Sequence, residues 1–163
     1  MDDNRALRGA ETTIPLRASH SAHLDLVRAR AALVDLDWLG PEQAGAAVGT
    51  SSLRRVSTYL ELPIKDGSAT APIRKAALID IGIPTVVGDA VVVEVRWQSA
   101  TLAPLFPVFA GRLHILEAGL YLDGRYVPPF GRIGLVIDES LLGFIARRSA
   151  HAFLARLAAH LAE

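Results

Sequence analysis

The stretch that decides the fold is GRIGLVIDESLLGFIARRSAHAFLARLAAHLAE, residues 131–163. Its apolar and small side chains recur at steps of three and four, which places them on one stripe of a helix. The stripe consists of Leu142, Ile145, Ser149, Phe153, Leu157 and Leu161. The stretch therefore predicts one helix of roughly 30 residues, which would be about 45 Å long. A stripe of that length has to be covered by a broad partner.

The segments from 53 to 127 predict this partner, because apolar and polar residues alternate along them as in half-buried strands. The clearest strand puts Val95 and Trp97 on one side, and an earlier one puts Ile81 and Ile83 on one side. Short connections between the strands imply antiparallel neighbours. We predict strands over residues 12–18, 54–64, 73–83, 90–100, 108–117 and 120–127.

The last of these strands contains Asp123-Gly124, which between apolar residues is also a strong signal for a β-hairpin turn. A turn there would leave only Leu120 to Leu122 as a strand, which is too short to be useful. We therefore predict one strand over residues 120–127, with Gly124 at a kink, a bulge or a close approach to the helix.

The N-terminal part predicts a flexible tail over residues 1–11 and two short helices, within a single domain over residues 12–163. The first helix falls within residues 20–36, with a stripe of Leu24, Val27, Ala31 and Val34 and with Ser19 or Ser21 as N-cap. The start of this stretch would also alternate as a strand, but its run of good helix formers favours the helix. The second covers residues 42–48, after Gly40-Pro41. Early helices, central strands and a long final helix predict an α+β fold, with a curved antiparallel sheet around that helix.

Composition sets bounds on the function. The 163 residues are 51% hydrophobic, which is ample for one core, and 17 basic residues balance 17 acidic ones. A neutral chain of this kind does not indicate nucleic acid or an anionic membrane as a partner. No apolar run is long enough for a transmembrane segment, and the first dozen residues are too polar for a secretory signal. We predict a cytoplasmic protein.

Motifs for catalysis or metal binding do not stand out. The chain has no cysteine, and its five histidines lack the spacing of a metal-ligand motif. No nucleophile elbow or phosphate-binding loop is present. The sequence therefore predicts no catalytic residue, no metal site and no cofactor.

Four stretches resemble a known family. They read RWQSAT (96–101), LFPV (105–108), LHI (113–115) and LDGRYVPPFG (122–131). They are similar to actinobacterial members of the START-like superfamily, also known as SRPBCC or Bet v 1-like domains, which includes polyketide cyclases and lipid transporters. The match covers roughly the last two thirds of the chain. It implies a helix-grip fold, in which a curved antiparallel sheet surrounds a long C-terminal helix.

The resemblance also implies a cavity between sheet and helix, which elsewhere in the superfamily holds lipids, sterols, polyketides or aromatic hormones. Glycines on the inner face would leave room there, and Ser99 and Tyr126 would orient a bound molecule. A core filled by side chains alone is the alternative. We expect the cavity to be lined by Trp97, Ser99, Phe109, Gly111, Leu113, Leu122, Gly124, Tyr126, Leu142, Ile145 and Ser149.

The leading hypothesis is a non-enzymatic binder or carrier of a hydrophobic small molecule. The second is an enzyme of the polyketide cyclase or aromatase kind, in which Tyr126, His114 or Arg112 would exchange protons. Strand alternation, however, sends His114 and Arg112 outward. A third hypothesis is an interaction module, which leaves a homodimer open. Its exposed apolar patch would be formed by Phe144, Trp38 or the loop at Phe130.

Overall fold

The computed structural model describes residues 13–39, 53–66, 69–100, 108–127 and 139–162. These residues form a seven-stranded antiparallel sheet and two α-helices, so the α+β prediction is confirmed. The elements are β1 (Ile14–Ser21), α1 (Leu26–Asp35), a 3-10 turn (Asp37–Leu39), β2 (Arg54–Asp66), β3 (Ala69–Ile81), β4 (Thr85–Val87), β5 (Ala90–Ser99), β6 (Val108–Leu116), β7 (Gly119–Val127) and α2 (Glu139–Ala162).

The strands lie in the order β1-β7-β6-β5-β3-β2, and β4 pairs with β5 beyond the end of β3. Ile81 pairs with Val95 and Thr85 with Val92, so the three residues 82–84 that connect β3 to β4 lie opposite two residues of β5. This is a β-bulge, and it shifts the alternation of side chains by one position. Ile83, predicted to face inward with Ile81, is instead 66% exposed.

β7 is one continuous strand that passes through Asp123-Gly124 and pairs with β1 on one side and β6 on the other. The predicted single strand is therefore confirmed. Gly124 lies opposite Gly111 of β6. A Cβ atom placed on Gly124 would stand 2.5 Å from the Ala110 carbonyl oxygen, so the two strands approach too closely there for a side chain.

α2 has 24 residues and is therefore about 36 Å long. Its first eight predicted residues, 131–138, lie outside the described residues. The predicted inner stripe is confirmed at Ser149, Phe153, Leu157 and Leu161, all of which are buried. The buried face is wider than the predicted stripe, and it also includes Ala146, Ala150, Leu154 and Ala158.

Among the described residues, the α2 backbone approaches β1 and β7 on one side and β2 on the other more closely than it approaches the central strands β5 and β6. A flat sheet would bring its central strands closest to a helix lying on it. The sheet therefore curves around α2, which is consistent with a helix-grip.

α1 departs from its prediction in both its start and its buried face. Asp25 is the N-cap, since its carboxylate accepts hydrogen bonds from the backbone N–H groups of Val27 at 2.8 Å and Arg28 at 3.2 Å. Ser19 and Ser21 belong to β1 instead. Val27 is 81% exposed, so the predicted stripe is wrong. The buried face consists of Ala29, Ala32 and Leu33.

The reason for this difference is tertiary, because the buried face of α1 packs against β5, β6 and α2. The helix ends at Leu36, which has left-handed backbone angles, and the Arg54 guanidinium donates to the carbonyl oxygens of Leu33 and Val34. Between β1 and β2 the structure describes one α-helix. The second predicted helix, residues 42–48, lies outside the described residues.

The outer face of the sheet is polar and carries the described ion pairs. Arg55 donates to both carboxylate oxygens of Asp80, at 2.7 and 2.9 Å. Arg17 donates to Asp123 at 3.0 Å across β1 and β7. Such exposed pairs contribute little to stability individually, so the fold depends chiefly on the apolar layer between the sheet and the helices.

Candidate ligand-binding site

Side chains fill the space between α2 and the central strands, and four of them are aromatic residues in contact with one another. Trp97 of β5 stacks on Phe109 of β6, with ring centroids 4.1 Å apart and an angle of 20° between the planes. Phe153 of α2 contacts Trp97 at 5.5 Å and Trp38 of the 3-10 turn at 5.3 Å. We call this region the inner layer.

Strand register brings the predicted site residues together in rows across the inner face. Trp97, Phe109 and Tyr126 form one row over β5, β6 and β7. The second row contains Gly111 and Gly124, and the third row contains Leu113 and Leu122. The side chains of six predicted residues are at most 2% exposed: Trp97, Phe109, Leu113, Leu122, Tyr126 and Ser149.

The other predicted residues are more accessible or fall outside the described side chains. Ser99, Gly111, Gly124 and Ile145 are half-buried. Leu142 lies on the first turns of α2, and its side chain lies outside what the structure describes.

The first row lies at the end of the inner layer where β5 and β7 end and α2 begins. Tyr126 reaches the helix there, since its hydroxyl oxygen lies 3.5 Å from a Cβ placed on Gly143. Ser99 follows Trp97 on the same face, because it pairs with the fully buried Ala77. Ser99 and Tyr126 each already interact with another group. Half-buried Ser99 and Ile145 leave this end partly accessible to solvent.

The space left by the two inner glycines is occupied by the ring of Phe109. A Cβ placed on Gly111 would stand 2.7 Å from Cζ of Phe109, and one placed on Gly124 would stand 2.6 Å from the same atom. The glycines therefore let Phe109 lie flat against the sheet and stack under Trp97. Sequence reasoning expected this room to serve a ligand directly.

The buried hydroxyls of the inner layer already have partners. Ser149 donates to the Ile145 carbonyl oxygen at 2.9 Å, one turn earlier in α2. Thr58 donates to the Leu39 carbonyl oxygen at 2.7 Å and accepts from Arg156 at 3.1 Å. Among the described side chains, the other buried polar groups are the Tyr126 hydroxyl and the indoles, so the described interior contains no buried carboxylate, histidine or cation.

Two buried donors lack an acceptor. The indole N–H groups of Trp97 and Trp38 have no hydrogen-bond partner within the described part of the chain, although the two residues are 2% and 5% exposed. The prediction that Trp38 belongs to an exposed patch is therefore wrong. Sequence reasoning missed Trp38 as an inner-layer residue. The available signal was an apolar pair, Trp38-Leu39, directly before Gly40-Pro41.

The candidate proton-exchanging residues separate onto two faces. His114 and Arg112 lie on the outer face, as predicted, where His114 pairs with Tyr121 and Arg112 with Asp123. No group of His, Asp and Glu side chains in the described ranges could hold a metal ion. None of the described helices is both long and apolar enough to cross a bilayer.

Two surface grooves lie outside the predicted site. One, of about 580 Å³, runs along the outer face beside Ile83, Val92 and Glu94. The other, of about 650 Å³, lies between the start of α1 and the end of α2, beside Asp25 and Leu161. Both are open to solvent, and neither includes a residue of the predicted site.

A scan of models of known protein families and a search of curated protein sequences both found no match to this chain. The START-like resemblance therefore rests on the motifs quoted above and enters below as a proposal.

Proposed function

We propose that the protein binds and carries a hydrophobic small molecule of the lipid, polyketide or aromatic class, in the inner layer between the sheet and α2. The observation that supports this most is the depth of the layer beneath α2. The α2 backbone is close to the edges of the sheet and further from β5 and β6, so side chains span the space between them beyond the part that α1 covers. Side chains can move aside by changing rotamer, whereas packed backbone cannot.

The binding region we propose is the end where the first row lies, between Trp97 and Tyr126 of the sheet and Ile145 of α2. Its lining is apolar and aromatic, which is typical of pockets for organic ligands. Burial of roughly 300 Å² of apolar ligand surface would contribute about 7.5 kcal/mol toward binding. The START-like resemblance supports the same location. In that reading the carrier is cytoplasmic.

The competing functions have less support. Of the residues considered for a polyketide cyclase, Tyr126 is the one on the inner face, while His114 and Arg112 face outward. For an interaction module or homodimer, Trp38 is buried, and Phe144 is exposed with the Arg148 guanidinium 5.0 Å from its ring centroid. Phe130 lies outside the described residues.

Extraction of purified protein with organic solvent, followed by mass spectrometry, tests the proposal. We expect a compound of the proposed class in a fixed ratio to the wild-type chain. Ile145→Trp should abolish its recovery, because Ile145 is half-buried against the inner layer and a larger ring there would occupy the binding region. Phe144→Trp is the matched control, since Phe144 is 43% exposed on the same helix.

The proposal would be overturned if no compound is recovered and the wild-type protein also fails to bind any added apolar probe. Equal recovery from Ile145→Trp and Phe144→Trp would move the binding region away from the inner layer.

A further inference from the structure

We infer that the ligand is an uncharged molecule that carries a hydrogen-bond acceptor, such as the carbonyl of a ketone, ester or quinone. The indole N–H of Trp97 or Trp38 would donate to this acceptor. This inference rests on the proposed function and adds the chemical class of the ligand. It uses a different observation, the two buried donors that have no acceptor.

The two donors belong to the same region of the inner layer. The Phe153 ring contacts both indoles, at centroid distances of 5.3 Å to Trp38 and 5.5 Å to Trp97. Both indoles are therefore within reach of a molecule that lies beside Phe153. Buried polar groups in folded proteins nearly always have a partner, so a buried donor without one marks a place where an acceptor is missing. A ligand oxygen would supply that acceptor.

The polar groups nearby indicate that the ligand is neutral. The Ser149 hydroxyl donates within its own helix, and the Thr58 hydroxyl is used by Leu39 and Arg156. The Arg156 guanidinium donates to the Leu39 carbonyl oxygen at 2.7 Å. Arg147 is exposed, and its guanidinium lies near the Tyr126 hydroxyl beside Gly143, on the first turns of α2. The buried donors without a partner in the described part of the chain are the uncharged indoles. A buried carboxylate or phosphate would lose its hydration without meeting a cation, which is strongly unfavourable.

The indole donors also predict that ligands with a hydrogen-bond acceptor bind more tightly than ligands of the same shape without one. A hydrocarbon of the same shape would leave the indole N–H groups unpaired, whereas a ketone would pair one of them. A net hydrogen bond of ordinary strength corresponds to roughly a fivefold to tenfold difference in affinity. We therefore expect benzophenone to bind about five to ten times more tightly than diphenylmethane, and diphenylacetate to bind more weakly than either. The linear series 2-undecanone, undecane and undecanoate tests the same order with a different shape.

The test is a titration followed by ¹H–¹⁵N NMR of the wild-type chain. The protein has two tryptophans, so its spectrum contains two indole N–H signals, and each is assigned by its loss in Trp97→Phe or Trp38→Phe. We expect the ketone to shift one indole proton signal downfield, and the hydrocarbon to bind without that shift. In the Trp→Phe variant that lacks the donor, the ketone and the hydrocarbon should bind equally.

The wild-type titration keeps the inference testable even if a Trp→Phe variant fails to fold. Equal affinity for ketone and hydrocarbon in both series would overturn it, and would point to a buried water as the acceptor of the indoles. Tighter binding of the carboxylates would also overturn it. In either case the proposed function would stand, because apolar probes still bind. If no member of either series binds, the proposed function fails as well.

Discussion

The close approach of β6 and β7 can be tested by replacing Gly124 with alanine. The new Cβ would stand 2.5 Å from the Ala110 carbonyl oxygen, 2.6 Å from Cζ of Phe109 and 2.7 Å from Cα of Gly111. Two of these three neighbours are backbone atoms in a paired strand, so they cannot move without breaking the ladder. Overpacking of a core costs about 1–3 kcal/mol when side chains can adjust. We expect about 3 kcal/mol or more here, because the backbone has to shift.

Urea unfolding followed by circular dichroism measures this loss. With a slope of about 2 kcal/mol per M, a loss of about 3 kcal/mol lowers the midpoint by roughly 1.5 M. Gly82→Ala is the matched control, since a Cβ there would meet Glu94 at 3.4 Å, an ordinary contact. We expect the control to change stability by less than about 1 kcal/mol.

A double variant, Gly124→Ala with Phe109→Leu, separates the two kinds of clash. It removes the ring contact, but the contact with the Ala110 carbonyl oxygen remains, so we expect no recovery of stability. If Gly124→Ala is no more destabilising than Gly82→Ala, the close pairing of β6 with β7 described here is wrong.

Three further predictions concern single contacts. Asp25→Ala should lower the free energy of unfolding by about 1 kcal/mol, because it removes the N-cap of α1, and Asp25→Asn should retain most of that stability in the same urea assay. Arg156→Lys should cost about 1–2 kcal/mol, because an ammonium group cannot reproduce the fork that donates to Leu39 at 2.7 Å and to neighbouring oxygens. The hydrogen bond to Asp80 raises the pKa of Arg55 above its ordinary value. The stability that this shift contributes is fully present below the ordinary pKa of arginine, and it is lost only as the pH rises through the raised pKa. The difference between wild type and Arg55→Gln should therefore be the same at about pH 6 and about pH 9.

Each of these has a matched comparison. Asp35 is the last residue of α1, at the end opposite the N-cap, so Asp35→Ala should change the free energy of unfolding little. An equal loss of stability in Asp35→Ala and Asp25→Ala would contradict the capping role of Asp25. Arg148→Lys changes an exposed arginine of α2 and should cost less than Arg156→Lys. A stability difference for Arg55→Gln that changes clearly between the two pH values would show that another titrating group is involved.

Strand faces and the long helix were predictable because their signals are local. Alternation along β5 places Val95 and Trp97 on one side whatever lies beyond the strand, and β2 follows the same rule at Val56 and Thr58. Ile83 could not be placed in this way, because the bulge between β3 and β4 depends on pairing with β5. An extra residue in one strand is invisible to a rule of alternation.

The face of α1 was not predictable for a related reason. The helix is rich in alanine, and its small residues Ala29 and Ala32 are buried while the larger Val27 is exposed. Close packing against the sheet and α2 selects small side chains, which carry a weak hydrophobic signal. Hydrophobic periodicity alone therefore favoured the wrong side.

The sequence predicted which sheet residues face the candidate site, but not how their side chains pack there. Register brings Trp97, Phe109 and Tyr126 into one row, and alternation alone gives their common face. The Phe109 ring occupies the space beside Gly111 and Gly124, and Trp38 packs against Phe153. Both arrangements depend on contacts between distant parts of the chain. No local pattern carries that information.

A crystal structure of the purified protein with a probe that binds in solution tests the central claim most directly. We predict electron density for the probe between the sheet and α2, beside Trp97 and Ile145, with α2 across the concave face of the sheet. Density for the probe on the outer face, or an α2 packed away from that concave face, would contradict the account.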